Sequence, residues 1–369
     1  MNTTSEKVRV LIVDDSALMR KLLTSVLSAD DGIEVVGAAP DPFAAREQIK
    51  ALNPDVVTLD VEMPHMNGID FLRKIMELRP TPVIMISTLT QAGAETTLEA
   101  LEIGAVDFVA KPLDPGAVLQ LGDELIPKIK AAARTRPRRR VAAPQQRPAR
   151  KALGASGGGA SDKLIAIGAS TGGVEALKAV LMLFPEDTPP VVIAQHMPER
   201  FTAAFARRLD SECRMRVHEA AHDQPIERGN AYIAPGGHHL EVARRGGGLV
   251  CTLNDGPPVS GHRPSVDALF NSVARVVAPR AVGAILTGMG RDGASGLLAM
   301  RKAGCATLGQ DEGTALVYGM PRVAFEIGAV ESQHGLFDIS AAILDACAAK
   351  RSPALAAAGH SSGHSSSHA

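Results

Sequence analysis

Two groups of residues in this chain have the types and spacing that covalent chemistry needs. The first is built around one serine. Lys163 to Gly173 reads KLIAIGASTGG: an apolar run of strand length, Leu164 to Ile167, meets a Gly-rich turn, and a helical pattern begins at Val174. Ser170 therefore sits on a tight strand-to-helix turn whose small neighbours let it close. The N–H groups at the start of the following helix point toward whatever the hydroxyl would attack. Gly168, Ser170 and Gly172 fit the G-x-S-x-G spacing of a nucleophile elbow. The same pattern suits a phosphate cradle in a nucleotide-binding domain, or a tight turn alone. Its partners decide between these readings.

The next apolar strand, Val191 to Ala194, ends in Gln195 and His196, one strand-helix-strand unit beyond Ser170. If the two strands are parallel neighbours, both residues stand at one carboxyl edge and the imidazole can reach the hydroxyl as a general base. Asp292 comes later, in TGMGRDGASG (Thr287 to Gly296), after the apolar strand Val282 to Leu286. It is a candidate N-cap for the helix that continues through Leu297 to Arg301. It is equally a candidate carboxylate to hold the tautomer and orientation of His196. The chain order Ser, His, Asp differs from the Ser, Asp/Glu, His order of the α/β-hydrolases, so that fold is rejected and its chemistry kept. His238 and His239 in YIAPGGHHL, and His262 in HRPSVDALF, could line the pocket or serve structure alone. Pro264 suits the first turn of a helix.

The second group lies nearer the N-terminus and suits phosphoryl chemistry. Asp14 and Asp15 follow the first apolar run, Asp60 ends the third, Ser87 ends the fourth, and Lys111 follows the fifth. Three carboxylates converging on one crevice repel one another unless a hard divalent cation sits among them, and Mg2+ is the natural candidate. Lys111 then supplies a positive charge and Ser87 a hydroxyl suited to a phosphoryl group on Asp60.

Both groups need the same kind of scaffold. Val8 to Val13, Ile33 to Ala38, Val56 to Leu59, Val83 to Ile86 and Val106 to Val109 alternate with helical patterns, which implies a parallel sheet covered on both faces, with ligands at the carboxyl ends of its strands. The second half repeats the plan. Alternation near Tyr232 and Leu240, with Pro235, Gly236 and Gly237 between them, predicts an antiparallel hairpin beside that second sheet. The fold class is therefore α/β, with two doubly wound parallel-sheet domains.

Composition narrows the rest. At 369 residues there is room for two domains with cores, and a formal net charge of -1 offers no field for nucleic acid or membrane. Aromatic content of 3% without Trp removes the stacking surfaces of single-strand binding. Four widely spaced cysteines, Cys213, Cys251, Cys305 and Cys347, show no zinc spacing and read as reduced and mostly buried. The polar N-terminus lacks an apolar h-region, and no apolar run is long enough to insert in a membrane, which points to the cytoplasm. From Arg134 to Lys151 the chain carries eight basic residues, no acids and three prolines, and a Gly/Ser-rich stretch follows. Such a segment, 131–160, reads as a solvated tether between a domain at 1–130 and another at 161–349, and 350–369 as a low-complexity tail.

VDDS at 13 to 16, LDVEMPHMNG at 59 to 68, Ser87 with Thr88, and KP at 111 to 112 resemble a response-regulator receiver. IGASTGG, AQHMPERF, YIAPGGHHL, GHRPSVDALF, TGMGRDGASGLLAMR, QDE at 310 to 312 and VYGMPR at 317 to 322 extend the likeness over nearly the whole chain. Together they resemble the chemotaxis protein-glutamate methylesterases of the CheB family. Cys305 and Gly309 stand where that pattern has Gly and Ala, both small changes.

The resemblance implies a flavodoxin-like receiver and a Rossmann-like methylesterase domain. It implies that Asp60 takes phosphate from the histidine kinase CheA, with Asp14, Asp15 and Asp60 holding Mg2+, and that Ser87 and Lys111 act as the switch. Ser170 becomes the nucleophile, His196 the base and acid, Asp292 the orienting acid, and the backbone N–H of Met289 an oxyanion donor. The substrates would be methyl-accepting chemoreceptors, demethylated at glutamate esters and deamidated at glutamines, without a cofactor in the catalytic domain. The receiver would inhibit until phosphorylated. Phosphorylation of Asp60 should reshape the face near the fourth and fifth strands, and if that face is the docked one, the phosphorylated form undocks. Two other classes stay open: a nucleotide-binding module, which would want an acidic ribose partner or a G-K-[ST], and a DNA-binding output domain, which would want a basic recognition helix.

Overall fold

The computed structural model describes residues 7–63, 66–88, 90–111, 118–135 and 163–349. Most of the segment expected to be a tether, and all of the expected tail, lie outside them.

The first domain alternates strands and helices: β1 (Val8–Val13), α1 (Ala17–Ser28), β2 (Ile33–Ala39), α2 (Pro42–Leu52), β3 (Val56–Asp60), α3 (Gly68–Leu78), β4 (Val83–Ser87), α4 (Gln91–Ile103), β5 (Asp107–Ala110) and α5 (Val118–Ala132). Its five parallel strands run in the order β2-β1-β3-β4-β5. β3 and β4 are buried along their whole length, as strands covered on both faces must be. Local chemistry starts the helices. Ser16 caps α1 by accepting from the Met19 N–H, and Asp41 caps α2 by accepting from Phe43 and Ala44, with Pro42 at the first helical position. The chain steps outward from β1 to β2 and then crosses to β3 on the other side. That reversal opens the crevice where Asp14 and Asp60 meet.

The second domain follows: β6 (Leu164–Ala169), α6 (Gly173–Leu181), β7 (Val191–Gln195), α7 (Glu199–Glu212), β8 (Arg216–Glu219), β9 (Asn230–Ile233), β10 (His239–Arg245), β11 (Gly248–Asn254), α8 (Val266–Val276), β12 (Ala281–Ile285), α9 (Ala294–Lys302), β13 (Ala306–Gln310), α10 (Met320–Glu326), β14 (Ser332–His334) and α11 (Ile339–Ala348). Seven strands make one sheet in the order β14-β13-β12-β6-β7-β9-β8, every pairing parallel. Here the order reverses at β6, so the turns after β6, β7 and β12 crowd one crevice.

The structure places the antiparallel hairpin differently from the sequence expectation. β9 pairs in parallel with β7 and β8, and Pro235 to Gly237 lead out of the sheet instead of turning a hairpin. The hairpin is β10 with β11, a separate two-stranded sheet packed on α8 and closed at Gly246 and Gly247. Pro264 likewise stands before the helix, since Ser265 is the N-cap of α8.

The first domain sits on the second through α4 and the start of β5. Phe108 of β5 stacks on Phe201 of α7 with ring centroids 4.4 Å apart, and one apolar cluster runs through both domains there. An aromatic pair of this kind adds about 0.5–1.5 kcal/mol beyond its buried area. Around it, Glu102 of α4 pairs with Lys178 of α6 and Arg208 of α7. Burial alone would raise the Glu102 carboxyl, and the two cations outweigh burial and lower it. Cys251, Cys305 and Cys347 are buried, and burial pushes the Cys251 thiol up to about 12. Among the described residues no helix is long and apolar enough to cross a membrane.

Candidate active site

β6 delivers Ser170 to the carboxyl edge of the second sheet, and β7, its parallel neighbour, delivers His196 beside it; the last register pair is Ala169 with Gln195. His196 Nδ1 lies 3.1 Å from Ser170 Oγ. The other ring nitrogen, Nε2, lies 2.8 Å from Asp292 Oδ2. The His196 side chain is 9% exposed and that of Asp292 1%, so the line runs from a sheltered hydroxyl inward to a fully buried carboxylate. A hydroxyl paired with an imidazole is how a nucleophile is presented, and a phosphate cradle has no use for it.

Asp292 does not cap the helix that follows it; the N-cap position of α9 is Gly293, with no side-chain cap. Its carboxylate reaches across to the start of α8 instead. Oδ1 accepts from Ser265 Oγ at 2.8 Å and the Asp267 N–H at 3.0 Å, and Oδ2 accepts from the Val266 N–H at 2.7 Å. Burial would raise this carboxyl, but the hydrogen bond and charge of His196, with the N–H groups of Asp267 and Val266, hold it below the ordinary range. An ionised Asp292 with its other lone pairs filled leaves His196 one role at Nε2, that of donor. Nδ1 then carries the free lone pair toward Ser170.

His262 stacks flat on His196, ring centroids 3.7 Å apart. Burial, and then the charge of His196, lower its pKa to about 4, so it is a neutral ring over His196 near pH 7. The sequence offered His262 only as a pocket or structural residue, and no spacing signal placed it against His196. His239 belongs to the support: Nδ1 accepts the Ser265 N–H at 3.2 Å. His238 pairs with Asp255 on the hairpin side.

The turn after β12 packs directly on Ser170. A Cβ added at Gly288 would fall 2.8 Å from Ser170 Cβ, a clash that only Gly avoids. The Ser170 N–H donates to the Thr287 carbonyl at 3.0 Å. Met289 is the next residue in this turn.

In the receiver, Lys111 Nζ lies 2.7 Å from Asp60 Oδ2 and 3.1 Å from Asp14 Oδ2. Asp14, Asp15 and Asp60 offer oxygens that all lie within 4.8 Å of one another, an oxygen-only set at the spacing a hard cation takes. Burial raises the Asp60 carboxyl to about 6 against the pull of Lys111. Burial would lower the Lys111 ammonium, and the two carboxylates outweigh it and raise it. Ser87 is buried and engaged with α4: it accepts from Thr97 Oγ1 at 2.8 Å, with the Gly93 carbonyl at 3.4 Å.

Comparison with known proteins identifies both domains. The response regulator receiver domain family model matches residues 10–121, and the CheB methylesterase model matches residues 165–343. A protein of Caulobacter vibrioides named protein-glutamate methylesterase/protein-glutamine glutaminase 1 is 60% identical over 347 residues, 94% of this chain and 99% of the relative. The chain belongs to the CheB family. A namesake from Dechloromonas aromatica is 53% identical over 93% of this chain and 99% of its own. The crystal structure of the Thermotoga maritima CheB methylesterase catalytic domain covers 50% of this chain and 99% of that one, at 33% identity and a TM-score of 0.49. In this CheB chain the receiver is docked at the very turn that bears the serine: Thr171 Oγ1 donates to Asp107 Oδ2 of β5 at 2.6 Å.

Proposed function

We propose that this chain is a phosphorylation-activated serine esterase that hydrolyses glutamate methyl esters on chemoreceptors and deamidates receptor glutamines. The observation that carries the reading is the unbroken line Asp292, His196, Ser170, with each contact at hydrogen-bond distance. His196 Nδ1 takes the Ser170 proton while Nε2–H stays on Asp292, and Oγ attacks the γ-carbonyl carbon. Negative charge moves to the carbonyl oxygen, where the Met289 N–H and the first turn of α6 would receive it. The C–O bond to methanol breaks as His196 returns its proton to the leaving oxygen. Water repeats the sequence on the acyl-serine and frees the carboxylate. With an amide substrate the leaving group is ammonia and the steps are the same. No metal or organic group enters this route.

For the receiver, Asp60 is the proposed phosphate acceptor, CheA the donor, and the cytoplasm the compartment. Asp14, Asp15 and Asp60 would hold Mg2+, which when bound neutralises charge on the transferring phosphoryl oxygens. Lys111, already on Asp60, would stay with the new phosphate, and Ser87 would have to leave Thr97 to reach it. That movement pulls at α4, the helix whose Glu102 holds Lys178 and Arg208. Undocking then exposes Ser170.

Methanol release from methylated receptor membranes tests the reading. Ser170→Ala should lower it by roughly 10^4 or more while the melt is unchanged. Retention of more than about a tenth of the activity would sink the serine mechanism.

A further inference from the structure

One run of hydrogen bonds joins four strand ends at the carboxyl edge of the second sheet. Gln310, the last residue of β13, accepts the Thr287 N–H on Oε1 at 2.7 Å. The Thr287 carbonyl, just past β12, accepts the Ser170 N–H at 3.0 Å. The Ser170 carbonyl, just past β6, accepts from Nε2 of Gln195, the last residue of β7, at 3.0 Å. The same Nε2 donates to the His196 carbonyl at 3.1 Å. The run follows the sheet order β13-β12-β6-β7.

Gln195 is the piece that reaches both members of the catalytic pair. The backbone ladder between β6 and β7 closes with the His196 N–H on the Ala169 carbonyl. After that bond Ser170 leads into α6 and His196 toward α7. A primary amide has two N–H donors on one nitrogen, and Gln195 spends them on the carbonyls of the nucleophile and of the base. It is 3% exposed, so neither bond is shared with bulk water. Turning the amide over would set Oε1 against two carbonyl oxygens, which dictates the orientation seen. Oε1 is buried without a hydrogen-bond partner and lies over the first residue of α6, where a Cβ added at Gly173 would come within 2.0 Å of it. A buried acceptor left unmet is unfavourable. The positive end of α6 offsets part of this. An apolar residue here would avoid that cost and would lose the clamp.

We propose that Gln195 is a positioning residue for the esterase reaction: its carboxamide clamps the Ser170 and His196 backbones and sets the 3.1 Å spacing of Oγ and Nδ1. It touches neither substrate nor the reacting atoms. The inference rests on the serine-esterase reading, and its test is kept separable from that reading.

The full-length protein, activated with a small-molecule phosphodonor, is assayed for methanol release and for the rate at which a fluorophosphonate labels Ser170. Gln195→Met keeps the length and removes both donors. Its labelling rate and kcat should fall together by about 10- to 100-fold with KM within about threefold, as small misplacements of reacting groups do. Gln195→Glu offers no donor when ionised and one when protonated, so its labelling rate relative to the parent should climb from about pH 8 to about pH 6, while the Met variant's ratio stays flat. If the Met variant does not melt cooperatively, the pH trend of the Glu variant decides alone. Labelling of the Met variant within about twofold of the parent, a loss confined to KM, or a Glu ratio that is flat with pH overturns the proposal. Labelling that persists in Ser170→Ala overturns instead the serine reading beneath it.

Discussion

The hydroxyl of Thr171, the residue after Ser170, donates a 2.6 Å hydrogen bond to the carboxylate of Asp107 on the receiver's β5. Asp107 is in turn 3.6 Å from Lys128 of α5, so the elbow is tied through one carboxylate to the body of the receiver. Asp107→Ala removes the tie without touching the phosphorylation site. The unphosphorylated full-length enzyme should then release methanol several-fold faster, with the activity after phosphorylation close to the parent's. Unchanged basal activity would show that the contact is incidental to docking.

Charge contributes to the same interface, and salt should loosen it. Glu102 with Lys178 and Arg208 is only partly buried, so its attraction is screened as ionic strength rises. Basal activity should increase between about 0.02 and about 0.5 M salt, and Glu102→Gln should flatten that response. The Glu102 carboxyl is held below its ordinary value. Its contribution is thus present above the unfolded-state pKa and is lost only as pH falls through the lowered one.

Asp292→Asn should cost both rate and stability. The two oxygens accept four donors, from Ser265, Val266, Asp267 and His196. An amide nitrogen at either position must face at least one of them. If it faces the Val266 N–H and His196, the imidazole turns to its other tautomer and Nδ1 loses its lone pair to a proton. Turnover should fall by about 10^4. An unmet buried donor should lower stability by about 1–3 kcal/mol. A variant with normal turnover and a lowered melt would leave Asp292 as a brace for α8 only.

The Asp60 carboxyl, raised to about 6 by burial, makes the receiver's stability fall as pH rises from about 4 through 6. The sign follows because the folded state binds the proton more tightly than the unfolded chain over that window. Asp60→Asn should therefore raise the receiver's melting temperature at pH 7 in the absence of divalent ions. Mg2+ should stabilise the parent at pH 7 and much less near pH 5, where Asp60 is protonated. Equal Mg2+ stabilisation of the parent and of the Asn variant would move the ion away from Asp60.

Much of this protein was legible because the information is local. Apolar runs such as Val8 to Val13 and Leu164 to Ile167 mark buried parallel strands, and residues placed one or two positions past them must emerge at the carboxyl edge. Asp14, Asp60, Ser170 and His196 were singled out in that way, and parallel pairing of β6 with β7 was enough to bring the last two together. Distance along the chain defeats this reasoning. Asp292 could be read as a cap for the helix it precedes or as a carboxylate orienting His196; its oxygens meet His196 and the start of α8, because β12 lies beside β6 and brings distant turns into one crevice. The hairpin was expected one strand too early, since alternation cannot say whether a strand pairs within the sheet or leaves it. Nothing in the spacing announced His262 over His196, Gln195 beneath Ser170 and His196, or Asp107 at Thr171. Periodicity determines which residues reach an edge. Which of them then touch depends on strand order and on how the two domains dock, and both are set by packing between segments far apart in sequence.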